Sequence, residues 1–482
     1  MNSALVIDKI TPIRLSVVLS LAAVLATFGV FYYGITFGLL LMICLIGLPL
    51  ATMVVIYPKF GILTLLVSCY VIMYISRLGV NFPVGTLMDG LQLLLIFGFF
   101  ISQKINPNWR VFKNSTTVLI LIWIFYNLMQ FFNLTAESQL AWVYTIRSVA
   151  IVMLMYFIFM VQVNSVGFIR LIFKIWIALA FFAALYAFKQ EHFGFFQFEE
   201  DWLASDPNLT TLYFIAGHWR KFSFFSDPVA FSYNMVTCSI LCVVLIINAS
   251  SIYKKLLLGF LVFFFMLTML YSGTRGAYVL FPAAIFMLAI LKFNFKVLIY
   301  ASFGFVFLIF LIFAPIYNQN IVRFQSAFRP GDDPSFNLRK MNQKKIQPYI
   351  QTHPFGGGLG SIGTWGARFS PNSYLSTVQP DSGYVRVAVE SGWVGLLIFC
   401  SLLFVILANG IRNYYRIRDP ELKNYCLAMV LIIYALSVGN YPQEAFVQFP
   451  TSVYFYLFIA LIHVTYRLDR EKQKSTLLAL KK

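Results

Sequence analysis

Charge is what this 482-residue chain lacks: only 11% of its residues are charged, where a soluble domain carries about 25%. Histidine is scarce, with four copies at His192, His218, His353 and His463. The six cysteines (Cys44, Cys69, Cys238, Cys242, Cys400 and Cys426) are scattered through apolar runs, with no CxxC or CxxH spacing. These patterns indicate neither a zinc site nor a disulfide frame. They also argue against a metal held by clustered histidines, so no metal and no cofactor is expected. There is no internal repeat, low-complexity tract or soluble catalytic domain. No cleavage signal precedes the first long apolar run, which is expected to be retained as a span.

Apolar sequence fills the space instead. Hydrophobic residues make up 60% of the chain and the mean hydropathy is +0.79. Apolar blocks fall near residues 15–33, 36–56, 60–77, 85–103, 117–133, 147–163, 167–188, 229–249, 256–271, 276–291, 297–314, 385–408, 424–440 and 447–466. Runs of about 20 apolar residues match a hydrocarbon core of about 30 Å, and backbone in lipid must satisfy itself, so each is expected to be a helix. The sequence therefore predicts an all-α polytopic membrane protein of about 14 spans, a single integral membrane domain over 1–482. Phenylalanine, with 52 copies, is read mostly as lipid-facing filler.

The formal net charge is +18. In a soluble chain this would suggest nucleic acid; here lysine and arginine on cytoplasmic loops account for much of it, and no nucleic-acid partner is expected. With the N-terminus inside, alternate loops carry Lys59, Lys104, Arg110, Lys113, Arg170, Lys254, Lys255, Arg412, Arg416 and Arg418. Both termini are then cytoplasmic. The informative charges lie on the other face. A loop over 190–228 carries Arg220 and Lys221, a tight connection over 272–277 carries Arg275, and a long loop over 315–384 carries Arg323, Arg329, Arg339, Lys344 and Arg368.

Each of these loops has a bland and a chemical reading. Arg275 sits in Ser-Gly-Thr-Arg-Gly-Ala between two spans. It is either a snorkelling side chain or a planar fork suited to phosphate oxygens. Arg220, in His-Trp-Arg-Lys before a Ser-Asp-Pro helix start, fits an interfacial aromatic and basic belt. Arg339 opens an amphipathic helix expected to reach Ile350. His353 then begins His-Pro-Phe-Gly-Gly-Gly-Leu-Gly, where Gly358 and Gly360 either form a flexible turn or bring amides to an anion. Asp381 is a helix N-cap, a role open to Ser382 too, or a base that takes a proton from a hydroxyl. Glu390, inside an apolar run, pairs with Arg386 one turn earlier.

The order of these motifs, from Arg220 to Gly395, resembles the O-antigen ligase/polymerase superfamily of bacterial envelope enzymes. The pattern is a basic motif with Asp227-Pro228, Ser-x-x-Arg-Gly at Ser272 to Gly276, then a long outer loop. That loop holds Arg339, His353-Pro-x-Gly-x-Gly-Leu-Gly, and a polar tetrad leading to Glu390-Ser-Gly-x-x-Gly. The resemblance implies a metal-independent glycosyltransferase at the periplasmic side of the bacterial inner membrane. Its substrate would be an oligosaccharide on undecaprenyl diphosphate. Membrane lipids would surround it, and a chain-length regulator is a candidate partner. Arg220, Arg275 and Arg339 would bind the diphosphate, with His353, Gly358 and Gly360 as further contacts and Asp381 as base. The ligase branch carries a histidine where this chain has Asp381-Ser-Gly-Tyr384, and His353 at its turn does not replace it. The departure favours a polymerase over a ligase. A lipid-linked sugar transporter remains a third reading; it would place its polar site near the midplane.

Overall fold

The computed structural model describes residues 12–78, 84–215, 217–293, 295–315, 319–326, 328, 334–379 and 381–479. Ten of the described helices are long and apolar enough to cross a membrane: Pro58–Arg77, Gly85–Ile105, Ser115–Phe132, Gln139–Gln162, Val166–His192, Pro228–Asn248, Ile252–Tyr271, Gly383–Arg416, Pro420–Gly439 and Thr451–Leu478. Shorter apolar helices at Leu45–Ile56, Arg275–Leu291 and Ser302–Phe313 coincide with further expected blocks. The first two blocks lie in Pro12–Ile56, broken at Gly34 by a φ of 69°. An all-α polytopic membrane protein is thus what the chain forms. Residues 1–11, where a retained N-terminal segment was expected to begin, lie outside the described residues.

Helix starts follow the local chemistry. Asp227 Oδ1 accepts from Val229 and Ala230 N–H, with Pro228 in the first turn. Asp419 does the same for Glu421 and Leu422 ahead of Pro420–Gly439. Both are cap-plus-proline signatures. Helices Pro228–Asn248, Pro420–Gly439 and Thr451–Ala479 form the interior and are buried nearly all round. Within the buried stretches, up to about Leu468 in the third helix, their sequences are accordingly apolar nearly all round.

Two expected boundaries shift. The block at 147–163 begins earlier, at Gln139, capped by Ser138. Arg147, which would have marked its edge, sits inside the run because Asp89 neutralises it at 3.0 Å. The helix widens there into a π turn over Arg147–Ile151. The amphipathic helix around Arg339 runs Pro334–Thr352.

The 190–228 segment is folded. It holds short helices Gln197–Ala204 and Pro207–Tyr213 and a hairpin pairing Phe214 with Trp219. Arg77 anchors it. Its guanidinium donates to the carbonyls of Ser223, Phe225 and Ser226 and lies over the rings of Trp202 and Phe222.

The loops predicted to carry function meet at one end of the bundle. The basic residues assigned to the inside gather at the other. There Lys59 lies over Phe168, Arg170 grips Glu421, Lys472 pairs with Asp419, and Asn248 bonds the Pro420 carbonyl.

Candidate functional site

The turn between Ile252–Tyr271 and Arg275–Leu291 is built by its own side chains. Gly273 takes a φ of 58°, a conformation glycine adopts without penalty. Ser272 Oγ donates to Met269 O and accepts from Thr274 N–H. Arg220 stitches the outer loop onto this turn. Its Nε donates to Ser272 O at 2.9 Å, one terminal nitrogen to Thr274 Oγ1 at 3.0 Å, and the other to Leu212 O at 3.3 Å. Three donor groups of Arg220 are thus engaged within the protein, and its first effect is to fix the turn that presents Arg275.

Arg275 is half-buried at the first position of its helix. The next residue is pressed into the bundle. A Cβ on Gly276 would lie 3.0 Å from Tyr233 Oη and 3.2 Å from Pro442 Cγ. Tyr233 Oη donates to Gly439 O at 2.8 Å. Arg339 stands within electrostatic reach of both Tyr233 and Asp381. Burial pushes the Asp381 carboxyl above the usual carboxylate range, and the Arg339 guanidinium opposes that shift. Asp381 does not cap the following helix. Ser382 holds the cap position without a side-chain cap bond, and Gly383 N–H donates to Asn440 O at 2.9 Å. Arg220 is thus bonded to Thr274 beside Arg275, Gly276 packs on Tyr233, and Arg339 lies within electrostatic reach of Tyr233 and Asp381.

Asp381 also lines a cavity of about 1130 Å³, above the usual range of about 300–1,000 Å³ for small-molecule sites. Its wall contains an ion triad. Arg386 donates to Glu390 Oε1 at 3.2 Å, the one-turn pair expected from sequence, and to Glu444 Oε2 at 2.7 Å. Glu444 carried no sequence signal, since it lies 58 residues beyond Arg386 in a segment without a motif. The buried Glu390 carboxyl is partnered by the Arg386 guanidinium, as such groups require.

The glycine run has a packing role. Helix Gly383–Arg416 breaks at Gly392, with φ 70°, and the His353–Gly360 turn docks into the break through backbone. Gly357 N–H donates to Val389 O at 2.8 Å, Gly358 N–H to Glu390 O at 2.9 Å, and Val394 N–H to Pro354 O at 3.2 Å. Gly356, Gly358 and Gly360 have φ of 72°, 91° and 76°. Gly358 lies against Ala136, and Gly360 against Thr145 and Ala141. Gly358, expected as a substrate contact, has its amide engaged at Glu390 O, and Gly360, expected likewise, is packed against helix Gln139–Ile146. His353 is set apart as well. It stacks on Tyr349 at 3.9 Å, its Nδ1 is bonded at Tyr349 O, and it lines a separate cavity beside Phe355.

The other stray cations are mostly accounted for. Lys221 is buried and paired with Glu191 at 3.5 Å; burial lowers its pKa and Glu191 opposes that. Arg368 lies over the rings of Tyr144, Trp365 and Phe369. Arg323 falls in the short helix Gln319–Ser326, and Arg329 lies outside the described residues.

Together these features define a multi-pass helical membrane protein with a large cavity that Asp381, Arg386, Glu390 and Glu444 help to line. Residues 258–400 match the family model described as O-antigen ligase. The match takes in Arg275, Arg339, Asp381 and the broken helix with Glu390, and bears out over that segment the resemblance read from the motifs. No curated protein matches the chain. The family match supports glycan transfer of the O-antigen ligase and polymerase type by a membrane enzyme, acting on lipid-linked oligosaccharide.

Proposed function

We propose that the protein polymerises lipid-linked oligosaccharide repeat units at the periplasmic face of the bacterial inner membrane, with both termini cytoplasmic. What supports this reading is that Asp381 lines the cavity with Arg339 in electrostatic reach of it, and that Arg339 also reaches Tyr233, against which Gly276 packs next to Arg275. A hydroxyl of the acceptor unit attacks the anomeric carbon of the donor glycan. The bond from that carbon to undecaprenyl diphosphate breaks, and the hydroxyl proton passes to Asp381. Negative charge grows on the leaving diphosphate, so fixed guanidinium groups at Arg275 and Arg339 stabilise the transition state more than the ground state. Arg220 holds the turn on which Arg275 stands.

Deleting the gene separates this reading from its runner-up. A polymerase mutant accumulates single lipid-linked units. A ligase mutant, the reading favoured by the description of the matching family, accumulates lipid-linked polymer instead. Accumulation of polymer would overturn the polymerase assignment.

The base assignment predicts a pH dependence. Activity needs ionised Asp381, whose carboxyl is held above the usual range by burial and pulled back by Arg339. The acid limb of the pH–rate profile should therefore lie above the ordinary aspartate range of about 4. Removing the Arg339 charge takes away the opposing effect, so in Arg339→Gln the limb should move to higher pH. An acid limb unchanged in Arg339→Gln would assign the proton to another group.

A further inference from the structure

A second cleft, of about 660 Å³, opens between helices Val166–His192, Pro228–Asn248, Ile252–Tyr271 and Pro420–Gly439. It lies at the end of the bundle away from Arg275. Helix Ile252–Tyr271 runs from this cleft to the Arg275 turn over 20 residues, which is about 30 Å. The transfer reaction drawn above makes no use of it.

Two kinds of surface meet there. Ile177, Leu245, Leu257 and Leu258 supply an apolar wall, and Leu257 is 60% exposed. Arg170, Lys174 and Lys254 supply positive charge, with Asp419 and Glu421 as the acids. The acids are already engaged. Both Glu421 oxygens accept from the Arg170 guanidinium, and Tyr425 Oη donates to one of them. Asp419 is paired with Lys472 and caps its helix. Lys174 and Lys254 are exposed, and among the described residues neither forms an ion pair. Two free ammonium groups therefore line one cleft. Lys174 lies one turn beyond Arg170, on the same helix face. Lys254 sits in the first turn of Ile252–Tyr271, which has no acidic residue and no side-chain cap. A cation there opposes the helix macrodipole, and an anion in the cleft would offset that cost.

The ligand must bring negative charge for the lysines and hydrocarbon for the wall. A soluble anion satisfies the ammonium groups and leaves the leucines uncovered. A zwitterionic phospholipid covers the leucines but brings a cation of its own to the lysines. An acidic phospholipid meets both demands, and basic pockets between membrane helices take such headgroups.

We propose that this cleft binds an acidic phospholipid of the adjacent leaflet, its phosphate held by Lys174 and Lys254 and its acyl chains along Ile177, Leu245 and Leu257. The bound lipid joins helix Val166–His192 to Ile252–Tyr271, the helix whose far end carries the Arg275 turn. Such a site is independent of the chemistry at that far end.

The test follows the anisotropy of fluorescent phosphatidylglycerol as the full chain, purified in a neutral detergent, is added. Phosphatidylcholine with the same label is the comparison, and inorganic phosphate is the competitor. Phosphatidylglycerol should bind saturably and about tenfold or more tighter than phosphatidylcholine, with no displacement by phosphate. Lys174→Gln with Lys254→Gln should weaken its binding roughly thirtyfold, the loss expected for two lysine–headgroup attractions. Both lysines are exposed, so this variant is expected to fold and to melt with the wild type. Lys104→Gln with Lys113→Gln removes the same charge outside the cleft and should change affinity by less than about threefold. Equal loss in the two double variants would mean diffuse attraction to the surface and would overturn the site. Equal affinity for the two lipids, or displacement of phosphatidylglycerol by inorganic phosphate, would overturn it as well. Binding is read without turnover, so the result stands whether or not the polymerase reading does.

Discussion

Arg275→Ala is expected to lower the rate of glycan transfer by about 10²–10³, the usual effect of removing one preorganised group at a site of developing charge. The position is prepared for the role. Arg275 opens a helix, so the positive end of the helix macrodipole points toward the same place. The turn beneath it is held by Ser272, Thr274 and Arg220, and Gly276 is packed against Tyr233 and Pro442. A guanidinium on such a base needs little reorganisation when the diphosphate departs. Arg275→Lys keeps charge but loses the planar fork, so it should recover only part of the rate. Polymer length on gels and rates on extracted lipid-linked glycan would report both variants. Long polymer from Arg275→Ala at wild-type protein level would take Arg275 out of the site.

Much of this arrangement is legible before folding, and the limits have physical causes. Apolar blocks declare helices because lipid leaves the backbone no other solution. Asp227-Pro228 declares its cap because the capping bonds are local. The Arg386–Glu390 pair is equally local, one helical turn apart. Glu444 and Tyr233 carry no such signal. Tyr233 lies in an apolar run, and what brings it to the site is the path of the whole chain. The glycine run illustrates a different limit. Positive φ and close approach are needed both for an anion nest and for backbone docked on backbone. Composition cannot separate the two; the partners at Val389 and Glu390 can. Arg77, which carried no reading in the sequence, shows the limit at a span end: its donors hold three carbonyls of the outer segment.

The docked glycines yield the second large effect. Gly392→Ala should destabilise the protein by at least ~3 kcal/mol, through two causes that act together. The backbone at Gly392 has φ 70°, which a residue with a Cβ adopts only under strain. The added Cβ would also stand 2.0 Å from Pro354 O and 2.6 Å from Gly356 N. Both neighbours are backbone and cannot swing aside as a side chain would. The docked turn must therefore lift, and with it go the bonds from Gly357 and Gly358 to Val389 and Glu390. The helix segment that carries Glu390 then shifts, and the Arg386 triad that shapes the cavity wall loosens, so activity should fall with stability. The same substitution at Gly259, in helix Ile252–Tyr271, meets nothing within 4 Å and should be neutral or stabilising by up to ~1 kcal/mol. Thermal unfolding of the two detergent-purified variants makes the comparison. A Gly392→Ala protein that melts with Gly259→Ala would mean that the turn is not seated in the broken helix, and the cavity wall built on it would have to be redrawn.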